Sequence, residues 1–228
     1  MTGDSFSKYA ANRAPTAKRS DRNKTPIGFV CVIDDDVSMR CALADLLESV
    51  GHDVKQFDSA TEVMRAPCLG DAGCFVVDIR MPGVSGLEFQ AHLQRASVLA
   101  PIIFMTGHAD VPMTVQAMKA GAFDFLTKPF REQEMLDAVA RAVALNQARI
   151  DSQKSANDTV ARFETLSARE REVMALVTAG LMNKQAAARI DVAISTVKTH
   201  RTQIMKKMGA KSLADLVRMA ELLQLKAS

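Results

Sequence analysis

The stretch VCVIDDDVSMR, from Val30 to Arg40, places three carboxylates directly after an apolar run. The run from Val30 to Ile33 contains no charged residue, which predicts a strand buried on both faces. Asp34, Asp35 and Asp36 follow it, and neighbouring like charges repel one another unless a positive charge lies beside them. The stretch therefore predicts a strand whose carboxyl end holds a cation, and a metal ion is the best candidate.

Four more apolar runs follow, and helical patterns separate them. Between the first two runs, residues 39–50 carry Leu43, Leu46, Leu47 and Val50 at helical spacing. Strand and helix alternate five times, which predicts a doubly wound α/β domain with a five-stranded parallel sheet covered by helices on both faces. The five runs are Phe29 to Ile33, Asp53 to Phe57, Cys74 to Val77, Ile102 to Met105 and Phe123 to Leu126.

Polar side chains follow several of these predicted strands. Asp78 follows the third run in FVVDIRMPG, Thr106 follows the fourth in IIFMTGHAD, and Lys128 follows the fifth in LTKPF. Ligands of doubly wound sheets bind at the carboxyl ends of the strands, so we expect these groups to meet Asp34 in one crevice. They suit phosphoryl transfer to a carboxylate, with Asp78 as nucleophile, Thr106 and Lys128 on the phosphoryl oxygens, and Mg²⁺ held by oxygen ligands.

Each of these residues also has a simpler explanation. An Asp before a helix is most often an N-cap, and we expect Asp36 to cap the first helix. Thr106 alone would fit a turn, and Lys128 alone would fit a solvated charge. The agreement of several strand ends favours the site.

Charge is unevenly distributed along the 228 residues, which suffice for two domains. Residues 29–150 hold ten basic and sixteen acidic side chains, whereas residues 151–228 hold thirteen basic and eight acidic ones. This asymmetry predicts one domain that binds cations and another that binds polyanions.

The sequence shows neither a signal peptide nor an apolar run of membrane-spanning length, so we expect no membrane association and a cytoplasmic protein. The four cysteines form no C-x-x-C pair and are expected to be free thiols.

The C-terminal part reads as four short helices. Ser167 and Glu170 form a capping box at the start of the first, and Gly180 and Gly209 end the first and third. A short helix, a tight turn and a longer basic helix form the pattern of a helix-turn-helix, whose second helix lies in the DNA major groove. The outer face of that second helix, from about Ser195, is predicted to carry Lys198, Thr199, Arg201, Thr202, Lys206 and Lys207.

Composition divides the chain into four segments. Residues 1–26 are polar and basic, which predicts a disordered tail. The α/β domain is predicted over residues 27–149 and the DNA-binding unit over residues 163–228. Residues 150–162 are polar without apolar periodicity, which predicts a linker after a helix that ends near Ala148.

The α/β part resembles the receiver domain of two-component response regulators, which has the CheY-like fold. VIDDD, VVDIRMPGVSG, FMTGHADV and DFLTKPF carry the resemblance. The stretch TGHADVPMTVQAMKAGAFDFLTKPF is most similar to the FixJ subgroup. Members of that subgroup often serve symbiosis, nitrogen fixation or the catabolism of aromatic compounds. The resemblance implies a cis bond between Lys128 and Pro129 and the following roles: Asp34 and Asp35 as the acidic Mg²⁺ pair, Asp78 as phosphoacceptor, the Arg80 backbone carbonyl as a further metal ligand, Thr106 and Phe125 as switch residues, and Lys128 as the phosphate-binding lysine.

The C-terminal part resembles the LuxR-type, or NarL/FixJ-type, four-helix DNA-binding domain. LSAREREV, GLMNKQAA, ISTVKTH and KMGAKS carry this resemblance. It implies that Lys198, Thr199 and Thr202 face bases or adjacent phosphates. Thr202 stands where many relatives carry a basic residue, which leaves the target sequence open. The resemblance also implies contacts with the DNA backbone, or positions at its margin, for Lys184, Arg201, Lys206 and Lys207.

The two resemblances together predict a response-regulator transcription factor. A sensor histidine kinase would phosphorylate Asp78, the protein would dimerise, and the dimer would bind double-stranded DNA and contact RNA polymerase. We expect no enzymatic activity beyond self-dephosphorylation. One alternative is a phosphatase or mutase using an aspartyl-phosphate, but Arg80 stands where such enzymes carry a second Asp. Another alternative is a regulator that binds DNA constitutively, although such proteins usually lack the acidic pair or the acceptor.

Overall fold

The structure is a computed structural model that describes residues 28–107 and 111–225. The tail predicted for residues 1–26 lies outside the described residues. Within them, no helix is both long enough and apolar enough to cross a membrane. All four cysteines are free thiols.

The N-terminal part is built around a parallel sheet in the strand order β2-β1-β3-β4-β5. Neighbouring strands pair in parallel register, with Val30 opposite both Val54 and Cys74. Strand β2 is added on one side of β1 and β3 on the other, so the strand order reverses at β1. Sheets of this kind bind ligands at such a point, here the crevice between the carboxyl ends of β1 and β3. The predicted fold is confirmed. The strands are β1 (Val30–Ile33), β2 (Val54–Phe57), β3 (Cys74–Asp78), β4 (Ile102–Thr106) and β5 (Asp124–Thr127).

In the described part of the chain, five helices cover the two faces of this sheet. Helices α1 and α5 bury Leu47 and Met135 on one face, and the helices between them bury Phe89 beside Phe75 on the other, with the two rings edge to face at 5.5 Å. Burial of each such side chain contributes about 1.5–3 kcal/mol. The helices are α1 (Val37–Ser49), α2 (Ala60–Arg65), α3 (Gly86–Arg95), α4 (Val111–Lys119) and α5 (Glu132–Glu164), with a 3₁₀ turn at Leu69–Asp71.

Helix α1 begins where the acidic run ends. The Asp36 carboxylate accepts a hydrogen bond of 2.8 Å from the Ser38 backbone N–H, as expected of an N-cap. One of the three carboxylates therefore serves the helix, and Asp34 and Asp35 are left at the strand end.

The C-terminal part has its own core, formed by four helices. Val173, Ile204 and Leu216 are almost fully buried in it. The predicted capping box of Ser167 and Glu170 is present, and Gly209 ends the third helix in the left-handed conformation. Met205 of the third helix is half-buried and packs against this core. The helices are α6 (Ala168–Thr178), α7 (Asn183–Arg189), α8 (Ile194–Met208) and α9 (Leu213–Leu222).

The sequence predicted that this helix ends near Ala148, but α5 extends to Glu164 and is 33 residues long in total. The predicted linker, residues 150–162, is therefore helical. Its side chains are mostly exposed, so the segment has no apolar face that could reveal a helix by periodicity. Polar helices of this kind occur as bridges between domains, with packing at both ends.

Candidate functional site

The crevice at the carboxyl ends of β1 and β3 holds two buried carboxylates. Asp34 is 1% exposed and Asp78 is 9% exposed. The Lys128 ammonium, which arrives from the end of β5, lies between them at 2.6 Å from Asp34 Oδ2 and 2.7 Å from Asp78 Oδ2. The structure thus brings together three of the predicted site residues, which lie up to 94 positions apart in sequence.

Burial and ion pairing act in opposite directions on the groups of this crevice. Burial raises the pKa of the Asp34 carboxyl, and the hydrogen bond from Lys128 offsets only part of that effect. Burial alone would lower the pKa of Lys128, but its hydrogen bonds to Asp34 and Asp78 outweigh burial and hold that pKa above its ordinary value. The site therefore keeps a cation among its carboxylates.

Asp35 completes a group of carboxylates that fits a metal ion. Ligand oxygens of Asp34, Asp35 and Asp78 all lie within 4.8 Å of one another. Asp35 is exposed, so the group opens to solvent at one side. Several oxygens around an open position suit Mg²⁺, which retains part of its water shell.

Backbone N–H groups orient the two buried carboxylates. Asp34 Oδ1 accepts a hydrogen bond of 2.9 Å from the Asp36 N–H, and Asp78 Oδ1 accepts one of 2.9 Å from the Arg80 N–H. In both residues the other oxygen, Oδ2, bonds to Lys128. The role of the Arg80 carbonyl as a metal ligand stays a prediction.

The two predicted switch residues lie on neighbouring strands at this edge. Thr106 ends β4 and is fully buried, and its carbonyl accepts a hydrogen bond of 2.7 Å from the Lys128 N–H. Phe125 on β5 is half-buried against the core of the sheet and lies opposite Phe104 in the strand register. The bond between Lys128 and Pro129 is cis, as expected.

One contact of the site was not predicted. Arg40, on the first turns of α1, donates a hydrogen bond of 2.6 Å from Nη1 to the Asp34 backbone carbonyl. This bond ties α1 to the loop that carries the acidic pair. Arg40 closes the quoted stretch, but nothing in the sequence distinguishes a side chain that folds back from one that is solvated.

The second candidate site is the outer face of α8. Lys198, Thr199, Thr202 and Lys206 are exposed there, as predicted. The two threonine hydroxyls donate to carbonyls one turn earlier in the helix, at 3.1 Å each, and their oxygens can still accept. Lys184, on the preceding helix α7, is also exposed.

Two other predicted DNA-contact residues have partners within the protein. Arg201 is half-buried and donates from Nη1 to Asn183 Oδ1 at 2.6 Å, which ties α8 to α7. The Lys207 ammonium lies 2.7 Å from the buried Glu170 carboxylate. These contacts favour positions at the margin of a DNA interface for both residues.

Two family models match the chain, one for each part. Residues 30–140 match the response regulator receiver domain, and residues 164–220 match the bacterial regulatory proteins of the luxR family. Nodulation protein W of Bradyrhizobium diazoefficiens is 51% identical over 200 residues, which are 88% of each chain. Transcriptional regulatory protein FixJ of the same organism is 42% identical over 86% of this chain and 96% of its own.

The chain belongs to the two-component response regulators with a LuxR-type DNA-binding domain. Solved structures agree with this assignment. The structure of response regulator StyR superposes with a TM-score of 0.76 at 45% identity, covering 85% of this chain and 98% of StyR. Full-length FixJ from B. japonicum gives a TM-score of 0.53 at 41% identity, over 86% and 97% of the two chains.

Membership of this family establishes the general function. The protein is a transcriptional response regulator: a receiver domain joined to a LuxR-type domain implies a histidine kinase as one partner and DNA as the other. The predicted family and function are confirmed at this level.

Proposed function

We propose that Asp78 accepts a phosphoryl group from a sensor histidine kinase and that this modification switches DNA binding by α8. The observation that carries the proposal is the ion-paired crevice, in which Lys128 bridges the buried carboxylates of Asp34 and Asp78 at 2.6 and 2.7 Å. An aspartate that is fixed through one oxygen and has a lysine at the other has the geometry of an oxygen nucleophile.

The geometry of Asp78 distinguishes its two oxygens. Oδ1 accepts the Arg80 N–H, so Oδ2 is the oxygen that attacks phosphorus. The bond between phosphorus and the kinase histidine nitrogen breaks as the new oxygen–phosphorus bond forms, and the histidine keeps the electron pair. The Lys128 ammonium, already at Oδ2, then bonds to a phosphoryl oxygen.

The acidic group fits Mg²⁺. Asp34, Asp35 and Asp78, with the Arg80 carbonyl, would hold the ion, which supplies positive charge against the charge of the phosphoryl group. Without such a charge, a phosphoryl group carrying nearly two negative charges would enter a crevice lined by carboxylates.

The switch follows from the positions of Thr106 and Phe125 on adjacent strands. The Thr106 hydroxyl would move to donate to a phosphoryl oxygen, and Phe125 would move into the space left behind. Both residues lie at the β4–β5 side of the sheet, so the repacking would change the surface around α4 and β5. A nearly complete switch requires a preference of about 10⁴-fold for one state, and dimerisation can supply part of it.

The output is binding of paired DNA half-sites by a homodimer, with RNA polymerase as a further partner. Lys198, Thr199 and Thr202 would meet bases or adjacent phosphates, and Lys184 and Lys206 would meet the DNA backbone, because all five are exposed on one helix-turn-helix. Catalysis would be limited to slow self-dephosphorylation, since Arg80 stands where phosphatases of this chemistry carry their acid-base residue.

The test is phosphorylation by acetyl phosphate in the presence of Mg²⁺, followed by intact mass measurement. Wild-type protein and Asp71→Asn, which changes a carboxylate just before β3, should both gain one phosphoryl group. Asp78→Asn should gain none, and a gain in that variant would move the acceptor role to another residue. Footprinting with and without beryllofluoride should show tighter operator binding in the treated protein, and equal protection would contradict the switch.

A further inference from the structure

The C-terminal ends of α5 and α8 meet in the DNA-binding unit. Arg162, in the last turn of α5, donates a hydrogen bond of 3.0 Å from Nη1 to the backbone carbonyl of Met208, the last residue of α8. The final four carbonyls of a helix have no partner within it, and the helix dipole makes that end negative. A guanidinium supplied by α5 therefore caps the helix that carries the DNA-binding face.

Gly209 makes room for this contact. It has a φ of +67°, the left-handed conformation in which glycine is favoured at a helix end. A Cβ added there would lie 2.3 Å from Arg162 Nη1, which is too close. The glycine therefore serves two purposes, since it ends α8 and admits the arginine.

A second cation bonds in the opposite direction, from α8 to the end of α5. The Lys207 ammonium donates to the carbonyl of Thr165, which follows α5, at 3.4 Å. The same ammonium pairs with Glu170, whose carboxylate also accepts the Ser167 N–H at the start of α6. The C-terminal end of α8 is thus capped by a cation from α5, and the C-terminal end of α5 by a cation from α8. Through Glu170 the start of α6 is also bound to Lys207 of α8.

At its other end, α5 is packed on the receiver sheet. Met135, Ala138, Val139 and Ala142 are fully buried there. No break in the helix separates these residues from Arg162. If α5 shifts on the sheet, the whole helix moves as one rigid body, including the turn from which Arg162 bonds to α8.

We propose that Arg162 is a positioning residue that fixes the DNA-reading helix α8 to the receiver domain through α5, so that the state of the receiver sets the orientation of α8. This inference rests on the proposed function for its signal, namely phosphorylation of Asp78. The contact itself is independent of that signal and can be tested separately.

The first measurement concerns the contact alone. Spin labels at the exposed Cys41 of α1 and at Glu221→Cys of α9, in a Cys68→Ser background, report the distance between the two domains by double electron–electron resonance. Arg162→Ala should broaden the distance distribution, and Arg162→Lys should restore much of the wild-type width. The matched control is Arg169→Ala, which removes an exposed cation from α6, and it should leave the distribution unchanged. A wild-type distribution in Arg162→Ala would overturn the proposal.

The second measurement concerns the signal. The ratio of operator Kd without and with beryllofluoride should fall towards one in Arg162→Ala, by roughly fivefold or more, and stay at the wild-type value in Arg169→Ala. A purely structural cap would weaken both states equally and preserve the ratio, which would overturn the signalling role. A ratio of one in the wild-type protein would contradict the proposed function instead, and the distance measurement would still decide the role of Arg162.

A third variant links the two observations. Gly209→Ala should reproduce the broadened distribution, because its methyl group would displace the guanidinium. Combining Gly209→Ala with Arg162→Ala should then add little to either change. Additive broadening would show that the glycine and the arginine act separately and would contradict the contact as described.

Discussion

Lys128 is the residue on which the charge balance of the acidic crevice depends. Its side chain is only 18% exposed, and its ammonium pairs with two carboxylates, one of which belongs to a side chain that is 1% exposed. An ion pair of this kind contributes little net stability compared with apolar residues, but removing one partner leaves a buried charge without compensation. The same residue therefore keeps the crevice stable and, in the proposed function, binds the phosphoryl group.

Replacing this lysine should be costly, and added metal should reverse part of the cost. Lys128→Ala should lower the free energy of unfolding of the receiver domain by about 3–5 kcal/mol, measured by urea denaturation without divalent ions. Mg²⁺ should restore more stability to this variant than to the wild-type protein, because it supplies the missing positive charge. Arg141→Ala breaks the exposed pair with Asp124 and should cost at most about 1 kcal/mol, without any response to Mg²⁺.

Two lysines of α8 should differ in their contribution to DNA binding. Lys198 is exposed, whereas the ammonium of Lys207 is bound to Glu170. If Lys198 touches a phosphate, Lys198→Ala should reduce the slope of log K against log salt concentration by about 0.9. Lys207→Ala should leave the slope unchanged and lower the stability of the C-terminal unit. Equal slopes for Lys198→Ala and the wild-type protein would exclude the phosphate contact.

At the scale of elements, Glu170 links α6 to α8 and makes their association sensitive to acid. The hydrogen bond from Lys207, followed by that from the Ser167 N–H, holds the pKa of Glu170 below its ordinary value. The folded state thus favours the ionised form. The stabilisation is complete above the pKa of the unfolded chain and is lost as the pH falls through the lower pKa of the folded state.

Glu170→Gln should therefore lower stability at neutral pH by about 1–3 kcal/mol and flatten the acid dependence. The measurement is urea unfolding of the C-terminal unit, followed by circular dichroism, from neutral pH to about pH 3. Glu172→Gln lies on the same helix in an exposed pair with Arg169 and should keep the wild-type acid dependence. If both variants titrate alike, the buried pair is not the source of the effect.

The sequence predicted those elements whose formation leaves a local pattern. Asp34, Asp78 and Lys128 were predicted to converge because strand ends in a parallel sheet share one edge, and that rule requires no knowledge of side-chain geometry. The helix-turn-helix was predicted from caps and glycines that act within a few residues. The second half of α5 was missed, because a helix exposed on nearly every side has no apolar periodicity.

The contacts missed by sequence reasoning join residues that are distant in sequence or that fold back on themselves. Arg40 bonds to the Asp34 carbonyl, and Lys207 bonds to Glu170, 37 positions away. Charged residues on helices are most often solvated, so a sequence alone favours that interpretation for both. Only the packing of the helices decides which cation reaches a carboxylate or a carbonyl.

At the scale of the whole molecule, the two domains are joined by the exposed middle of α5. A helix protects its peptide bonds from proteases, which require an extended and locally unfolded substrate. The bonds after Arg149 and Lys154 should therefore resist trypsin in the folded protein, although both side chains are exposed.

A proline in this segment should remove that resistance. Ser152→Pro should interrupt α5 at a cost of about 3 kcal/mol or more, and trypsin should then separate the chain into two stable fragments. Ser152→Ala keeps the helix and should be cut as slowly as the wild-type protein. Rapid cleavage of the wild-type protein at these bonds would show that the segment does not stay helical in solution.

Because α5 is one continuous helix, its length also sets the rotation of one domain relative to the other about the helix axis. Each residue added to an α-helix rotates the following chain by about 100° and moves it by about 1.5 Å along the helix axis. One residue inserted in the exposed middle of α5 would therefore rotate the DNA-binding domain to a different side of the receiver domain. Inserting seven residues adds nearly two full turns, so the relative rotation of the two domains stays almost unchanged while their separation grows by about 10 Å. We therefore expect insertions in α5 that add whole helical turns to preserve the coupling between the receiver and DNA-binding domains, and insertions of intermediate length to abolish it.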